Sequence, residues 1–546
     1  MRQTFANSHV SRRRFMRQLG SVTAGTGAVN LVGRPDLNLL ISSTEAVKPT
    51  APFKENQRAN EAYQIRHKAA LEQRNSSSTL NANNGDEELY DIPIASYSKA
   101  MPHNALGEVN GSAYDSLVHA MTTMEPGAFN GIPMGGTIRQ TNPQSAISFE
   151  LAGADSHHLS LRPPPTFASE DEAAEMCELY WQALTRDVPY SQYGLEPLTT
   201  AAIQDLSHFA KFHGVHAGNL FRGETTSDSI GPYISQFLWK PFSFGALPIQ
   251  QRYRTGATGD DHLTNYAAWI QVQNGVAPSS QNVLQAMPRF IADGRDLAEW
   301  DHRDFTYQGF LVAALVLLSF GPGAINDSNP YKTSANQIGF ATFGAPHILD
   351  LVARVACLAL KAAWHQKWSI HRRLRPEEFS GRVHNHITGA ASYPIHSKLL
   401  HSQVLPEIFN RYGTYLLPMA YSEGAPTHPS YPAGHAVIAG AGTTVLKAFF
   451  NESFAIPNPV VVSDDGLSLE PYKGMLLVGD ELNKLAANVA IGRDTAGVHW
   501  RSDGIEGIKL GEEVAISLLR DYKQTFNENF AGFSFSRFDG SMVLIR

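Results

Sequence analysis

The chain has 546 residues, with 44 Lys and Arg against 51 Asp and Glu, 21 His and 2 Cys. A net charge of −7 lacks the basic footprint of a nucleic-acid binder, and 43% apolar against 17% charged content excludes a disordered chain. Cys177 and Cys357 can form one disulfide at most, so a Cys-rich zinc or iron–sulfur site is excluded and inorganic chemistry falls to His, Lys, Arg and carboxylates. At ~150 residues per domain, length alone predicts roughly three or four domains, or one large fused body.

Residues 1–45 stand apart. Ser11-Arg12-Arg13-Arg14-Phe15-Met16-Arg17, followed by a mildly apolar stretch over residues 19–32, has the pattern of a twin-arginine signal, an address read by a receptor that exports folded proteins. It predicts a periplasmic or secreted protein. A plain basic tail is the alternative, since no clean A-x-A cleavage site follows. Residues 46–95 are polar, with the run Asn75-Ser76-Ser77-Ser78, and read as a linker and wrapping arm. Two helical halves are expected beyond them, residues 96–300 and residues 301–546, with the chemistry in the second.

Ser169-x-x-Glu172 has the form of a capping box, in which each side chain satisfies a first-turn N–H. Ala173, Met176, Cys177, Tyr180, Trp181 and Leu184 follow at helical spacing. The run FLVAALVLLSF, residues 310–320, is shorter than the ~20 residues of a bilayer span and reads as a buried core helix. Residues 345–367 keep a helical period through Ile348, Leu351, Val352, Val355, Leu358, Ala359 and Ala362, and 435–450 and 503–522 are further helices. Strand patterning is scarce apart from Val460-Val461-Val462, and no repeat of fixed period occurs. The fold class is therefore mainly α with long loops and no membrane-spanning helix.

Eight of the 21 histidines lie between His365 and His435, and three segments combine histidine with a cation or a helix start. In the first, Lys367 continues the stripe of Leu360, Ala363 and Trp364, so it points partly inward, where an ammonium needs an anion. Pro376 disfavours α geometry at Arg375 and places it at a helix boundary. In the second, His428-Pro429-Ser430-Tyr431-Pro432-Ala433-Gly434-His435 opens a helix whose first N–H groups favour an anion, with His435 in its first turn. In the third, Arg493 shares a helical face with Leu482, Leu485, Ala486 and Val489, Gly497 breaks the helix, and His499 projects from the loop. Asp503 can hold one nitrogen of His499 and so choose which is free to act. Taken singly, each segment also reads as a basic helix end, a Pro-Gly loop or a buried Arg–Asp pair. Together, Lys367, Arg375, Arg493, Gly434 and two histidines form a cage for a tetrahedral oxyanion such as phosphate or vanadate. A zinc site on His384-x-His386 competes but lacks an evident third ligand.

Lys-x7-Arg-Pro, Pro-Ser-Tyr-Pro-x-Gly-His and Arg-x5-His-x3-Asp together resemble the vanadium-dependent haloperoxidases, which share their cage with the type-2 phosphatidic acid phosphatase superfamily. Asn142-Pro143-Gln144, Phe221-Arg222-Gly223 and Gly231-Pro232-Tyr233-Ile234-Ser235-Gln236-Phe237 resemble the algal and cyanobacterial bromoperoxidase branch, so the likeness runs from about Ser96 onward. It implies an all-α body with paired four-helix bundles. It implies His499 as the axial ligand of vanadium, oriented by Asp503; Lys367, Arg375 and Arg493 as the cations on vanadate's oxygens, with Lys367 also catalytic in polarising the peroxide oxygen; Gly434 as a backbone donor; and His435 as the acid/base, helped by His428. His428 matches a second histidine typical of bromoperoxidases, and Asp304 is expected as a partner of Arg493. Ala433 departs from the family, which usually carries Ser there. The implied reaction uses vanadate as cofactor and hydrogen peroxide as oxidant. Halide, bromide or iodide by the presence of His428, becomes hypohalous acid, which halogenates small organic acceptors. Homo-oligomers occur in this branch.

Two other readings use the same cage. In a phosphatase, His499 attacks a phosphoester and His435 protonates the leaving group. In an oxyanion-binding protein without turnover, phosphate binds tightly and peroxide chemistry is absent.

Overall fold

The structure, a computed structural model, describes residues 55–76 and 81–546. The twin-arginine segment and residues 19–32 lie outside the described residues. The chain divides into two units, Met1–Ala62 and Tyr63–Arg546, and both expected halves belong to the second.

Helices of ten residues or more are numbered in chain order. They are α1 (Glu55–Asn75), α2 (Gly111–Thr123), α3 (Glu170–Thr185), α4 (Pro197–Leu206), α5 (Gly294–Arg303), α6 (Gln308–Ser319), α7 (Ala345–Trp364), α8 (Pro376–Ile387), α9 (Gly434–Phe449), α10 (Val478–Thr495) and α11 (Arg501–Lys523). The region read as a linker thus contains α1, and residues 300 and 301, where the two halves were expected to divide, lie inside α5. Strands are few among the described residues. They form three antiparallel ribbons, β1–β2 (Phe242–Phe244, Leu247–Ile249), β3–β4 (Val460–Val462, Leu469–Pro471) and β5–β6 (Phe533–Ser536, Met542–Ile545).

Ser169 does cap α3, its hydroxyl accepting the Glu172 N–H at 3.1 Å. The reciprocal half of the capping box is missing, because the Glu172 carboxylate is drawn away to Arg373. The 310–320 run is α6, buried against α7 and α9 as a core helix.

Helices α7, α9, α10 and α11 pack into a four-helix bundle around α9, which is buried along nearly its whole length. Small residues let the backbones meet. A Cβ at Gly440 of α9 would lie 2.0 Å from the Ile508 carbonyl oxygen of α11, and one at Gly511 of α11 would lie 1.9 Å from the Val437 oxygen. The core of this bundle runs through Val352, Val355, Ile438, Val445, Leu485 and Ile516. A second apolar cluster surrounds α3 through Trp181, Leu206, Phe379 and Trp500, and a third joins α2 to Trp368. The segments bearing the three motifs meet where the bundle faces these other two clusters.

Candidate functional site

Lys367 is placed by an irregularity in its helix. After α7 the chain widens into a π-helical turn, His365–His371, closed by the Arg372 N–H donating to the Lys367 oxygen at 3.0 Å. Single π turns insert one residue into an α-helical register and recur at functional sites. The turn leaves Lys367 fully buried, its ammonium donating to the Pro429 and Ser430 carbonyl oxygens, each at 2.7 Å.

The three arginines that follow diverge. Arg372, at φ 38°, turns back to Glu87. Arg373 and Arg375, two apart across an extended step, are both buried but serve different partners. Arg373 meets carboxylates: Asp503 at 2.8 Å, Glu172 closely, and Glu175 at 3.5 Å. Arg375 donates to the carbonyl oxygens of His428 at 3.0 Å and Val498 at 2.7 Å, and to ring nitrogens of His499 and His428 at 2.9 Å each.

The second motif supplies one wall. His428 stacks obliquely on Trp364 at 4.8 Å between ring centroids. Ala433 is the N-cap residue of α9, wholly buried and unable to cap with a side chain. Packing does not impose a glycine at 434, since a Cβ there would meet Trp364 at an ordinary 3.4 Å. That space lies beside the free N–H groups at the head of the helix, which carry its partial positive charge. His435 is the least buried histidine of the cage, and its Nε2 lies 3.1 Å from the Asp304 carboxylate.

The third motif closes the cage. Gly497 ends the α10 segment with φ 83°, in the left-handed region that favours glycine, and a Cβ there would press on the Met419 sulfur at 3.1 Å. The chain thereby turns His499 inward. Its Nδ1 lies 2.8 Å from Asp503 Oδ2, and its Nε2 accepts from Arg375. These partners fix the tautomer, with the proton on Nδ1 donated to Asp503 and the Nε2 lone pair facing the cage. Asp503 Oδ2 also accepts from the Ser430 hydroxyl and from the Trp500 N–H at 3.2 Å.

The expected pairing of Asp304 with Arg493 does not occur. Arg493 donates instead to the Asp301 backbone oxygen at 3.1 Å, with its Nε 4.0 Å from the Asp301 carboxylate, and its guanidinium lies 5.7 Å above the Tyr421 ring. Helical geometry explains the exchange. Asp301 lies within α5, whereas Asp304 is its C-cap residue in extended conformation and swings to His435.

The electrostatics define what the cage lacks. Burial, with the Arg375 guanidinium nearby, pushes the Lys367 ammonium well below its ordinary range, and burial brings Arg375 down to about 10. Burial, then the charges of Arg375 and Lys367, holds His499 far below the usual imidazole range; burial, then Lys367 and Arg375, does the same to His428. Among the described residues, neither Lys367 nor Arg375 has a carboxylate within ion-pair distance; carbonyl dipoles and imidazoles alone meet them. The Arg493 Nε is buried without a hydrogen-bond partner. An oxyanion supplies the missing charge and acceptors, and vanadate or phosphate fits; a metal cation would be repelled by three cationic side chains. His384 and His386 do not form a zinc site, each accepting a backbone N–H instead, from Tyr415 at 3.2 Å and Tyr393 at 3.1 Å.

Lys367, Arg375, His428, Gly434, His435, Arg493, His499 and Asp503 are thus gathered in one site, with Asp304 at its edge. Sequence reasoning missed Arg373, Ser430, Asp301, Trp364 and Tyr421. Ser430 and Arg373 lie inside motifs already singled out and Trp364 lies on the stripe that leads to Lys367, whereas Asp301 and Tyr421 carried no signal.

Fold and site define the class: a helical-bundle protein with a cationic oxyanion cage built on the ends of α7 and α10 and the starts of α8, α9 and α11. The family profile described as VCPO second helical-bundle domain matches residues 351–528, the stretch that contains nearly all of the cage. The vanadium-dependent bromoperoxidase of Ascophyllum nodosum is 33% identical over 536 residues, covering 92% of this chain and 94% of that protein. That of Corallina pilulifera is 32% identical over 592 residues, covering 88% and 99%. The structure of the second vanadate-dependent bromoperoxidase of Ascophyllum nodosum, a homohexamer, superposes with a TM-score of 0.87 at 29% identity, covering 94% of each chain. The chain belongs to the vanadium-dependent haloperoxidase family.

Proposed function

We propose that the protein is a vanadate-dependent haloperoxidase that oxidises bromide or iodide with hydrogen peroxide to hypohalous acid, which halogenates small organic acceptors. The observation that carries this reading is the buried pair Lys367 and Arg375, cationic and without a carboxylate, beside a histidine whose Nε2 lone pair faces inward. Bound vanadate would supply an electrophilic oxyanion centre that activates hydrogen peroxide toward two-electron transfer.

The chain's own residues do the rest. His499 offers Nε2 as ligand, held by Asp503 through Nδ1. Lys367, Arg375 and Arg493 neutralise the oxyanion, and preorganised charges of this kind stabilise developing negative charge without reorganisation. The α9 N-terminus at Gly434 adds backbone donors. The net reaction, H2O2 + X⁻ + H⁺ giving HOX + H2O, consumes one proton. His435 supplies it: with Nε2 engaged by Asp304, Nδ1 is left to hold and hand on a proton. His428, bound to Arg375 and held neutral, serves as a hydrogen-bonding wall.

The test is to incubate purified protein with orthovanadate, peroxide and bromide and to follow bromination of a 1,3-diketone dye. Vanadate-dependent turnover is expected. Hydrolysis of a phosphomonoester without vanadate, and no bromination, would establish the phosphatase reading.

Two further properties belong to the same proposal. The homohexameric neighbour supports a homo-oligomer, which light scattering of the purified protein tests. The Ser11–Arg17 segment supports export, which replacement of Arg12, Arg13 and Arg14 by lysine abolishes if the twin-arginine route is used.

A further inference from the structure

Behind His499 lies a second set of buried charges that the reaction above does not use. Arg373 is at its centre. One guanidinium nitrogen donates to both Asp503 Oδ1 and the Ser502 hydroxyl, each at 2.8 Å; the other meets Glu172 and, at 3.5 Å, Glu175. The guanidinium carbon lies 4.7 Å from the centroid of the Trp500 ring, over its face. Ser502 is held from its other side by Glu175 at 2.8 Å, and Glu175 is anchored by Lys211 at 2.9 Å. Arg373, Glu172, Glu175, Trp500 and Asp503 are all less than 4% exposed.

We infer that Arg373 is a positioning residue for the His499 ligand: it clamps Asp503 and the first turn of α11 so that the His499 Nε2 lone pair points into the anion cage. The inference rests on the haloperoxidase reading of that cage. The geometry is specific. Asp503 divides its two oxygens, Oδ2 for His499, Ser430 and the Trp500 N–H, and Oδ1 for Arg373. Arg373 is the only Lys or Arg paired with Asp503 among the described residues. Without it, Oδ1 loses its arginine and the carboxylate is held through Oδ2 alone, which loosens the reference for the imidazole plane. A planar fork that binds two carboxylates and stacks on an aromatic ring cannot be replaced by a lysine. Partners one shell outside a ligating histidine typically change affinity about 10- to 100-fold when removed.

The test uses the full-length apo protein and orthovanadate, with binding followed by calorimetry. The wild type is measured first; if it binds no vanadate, the functional reading fails and the inference fails with it. If it binds, Arg373→Met is expected to raise the Kd about 10- to 100-fold. The ¹⁵N spectrum of His499 should move from a single Nδ1–H tautomer toward a mixture. Should Arg373→Met not fold, Glu172→Gln/Arg373→Met, which removes the stranded carboxylate, takes its place. Glu178→Gln serves as the control. It weakens the neighbouring Arg501–Glu178 pair, which holds the same helix start at 2.6–2.8 Å, without touching Asp503. It should lower the melting temperature and leave vanadate affinity within twofold. A folded Arg373 variant with wild-type Kd and an unchanged His499 tautomer would overturn the inference, as would an equal loss of affinity in Glu178→Gln.

Discussion

Replacing Ala433 by serine tests whether the start of α9 faces the anion. Ala433 is fully buried at the N-cap, with φ −66° and ψ 119°, the backbone geometry that a capping serine adopts. The Gly434, His435 and Ala436 N–H groups lie in the first turn, where no intrahelical acceptor is available. A serine hydroxyl can accept from one of them and donate its own proton to an oxyanion in the cage. The capping half contributes about 1 kcal/mol to the stability of the anion-free protein. The donating half is worth about 0.5–1.5 kcal/mol net, which corresponds to a Kd for vanadate about 2- to 13-fold lower than in the parent. Thermal melting without anion reads the first effect, and calorimetric titration with orthovanadate, repeated with phosphate, reads the second. A higher melting temperature with unchanged affinity for both anions means that the Ala433 side chain does not reach the cage. The placement of the oxyanion at the α9 N-terminus would then be refuted.

Three other outcomes follow from the same geometry. His499→Ala removes the inward lone pair, so vanadate at 100 times the wild-type Kd should no longer give the stabilisation of about 2.7 kcal/mol expected for the parent, and bromination should fall to the vanadate-free background. Asp304→Asn leaves the cage cations in place but weakens the carboxylate partner of His435. It should lower kcat about 10-fold or more while vanadate affinity stays within twofold, and an equal loss in both would place Asp304 in anion binding instead. His371 is buried with both ring nitrogens unpartnered, and burial, with Arg372 and Arg373 adding to it, lowers it to about 3. The unfolded chain takes up this proton below about 6.5 and the folded one does not, so its contribution to stability is lost as pH falls from 6.5 toward 3. His371→Leu should therefore recover about 2 kcal/mol relative to wild type at pH 5, compared with the same difference at pH 7.5, in urea titrations; parallel pH dependences in the two proteins would show that the ring protonates in the fold.

The helices were legible where apolar residues recur on one stripe. The bounds of α3, α6, α7, α9 and α11 lie within a few residues of the expected ones, because their apolar stripes run nearly their full length; α3 is also started by Ser169. The cage residues were legible because their motifs are short and each lies on one helix end. What was not legible depends on pairing between segments distant in the chain. Nothing in the order Arg372-Arg373-Leu374-Arg375 says which arginine meets carboxylates and which is left for an anion; Glu87, Glu172 and Val498 decide it from far away. Asp301 and Asp304 are three apart and chemically alike, and only the end of α5 between them sends one to Arg493 and the other to His435. Glu172, Glu175 and Glu178 recur at every third position, a spacing that ordinarily marks a solvated face, yet all three are buried under Arg373, Lys211 and Arg501.

That last arrangement explains how Lys367 and Arg375 stay without a carboxylate partner. The carboxylates near His499 are drawn to its outer side, where Arg373 and Arg501 hold them. Had Asp503 turned its free oxygen toward Arg375 instead, the cage would contain an internal ion pair and an entering oxyanion would compete with it. Arg373 takes that oxygen, so Lys367 is left with carbonyl dipoles, and Arg375 with carbonyl dipoles and two neutral imidazoles, rather than with a carboxylate. The separation costs stability in the empty protein, because buried cations are poorly solvated by dipoles alone. The same separation makes anion binding and folding mutually reinforcing, since any ligand that binds only the folded state stabilises it in proportion to the logarithm of its concentration over Kd. Two arginines separated by one leucine thus have opposite tasks: Arg373 pairs with the protein's acids, and Arg375 is kept free of carboxylates.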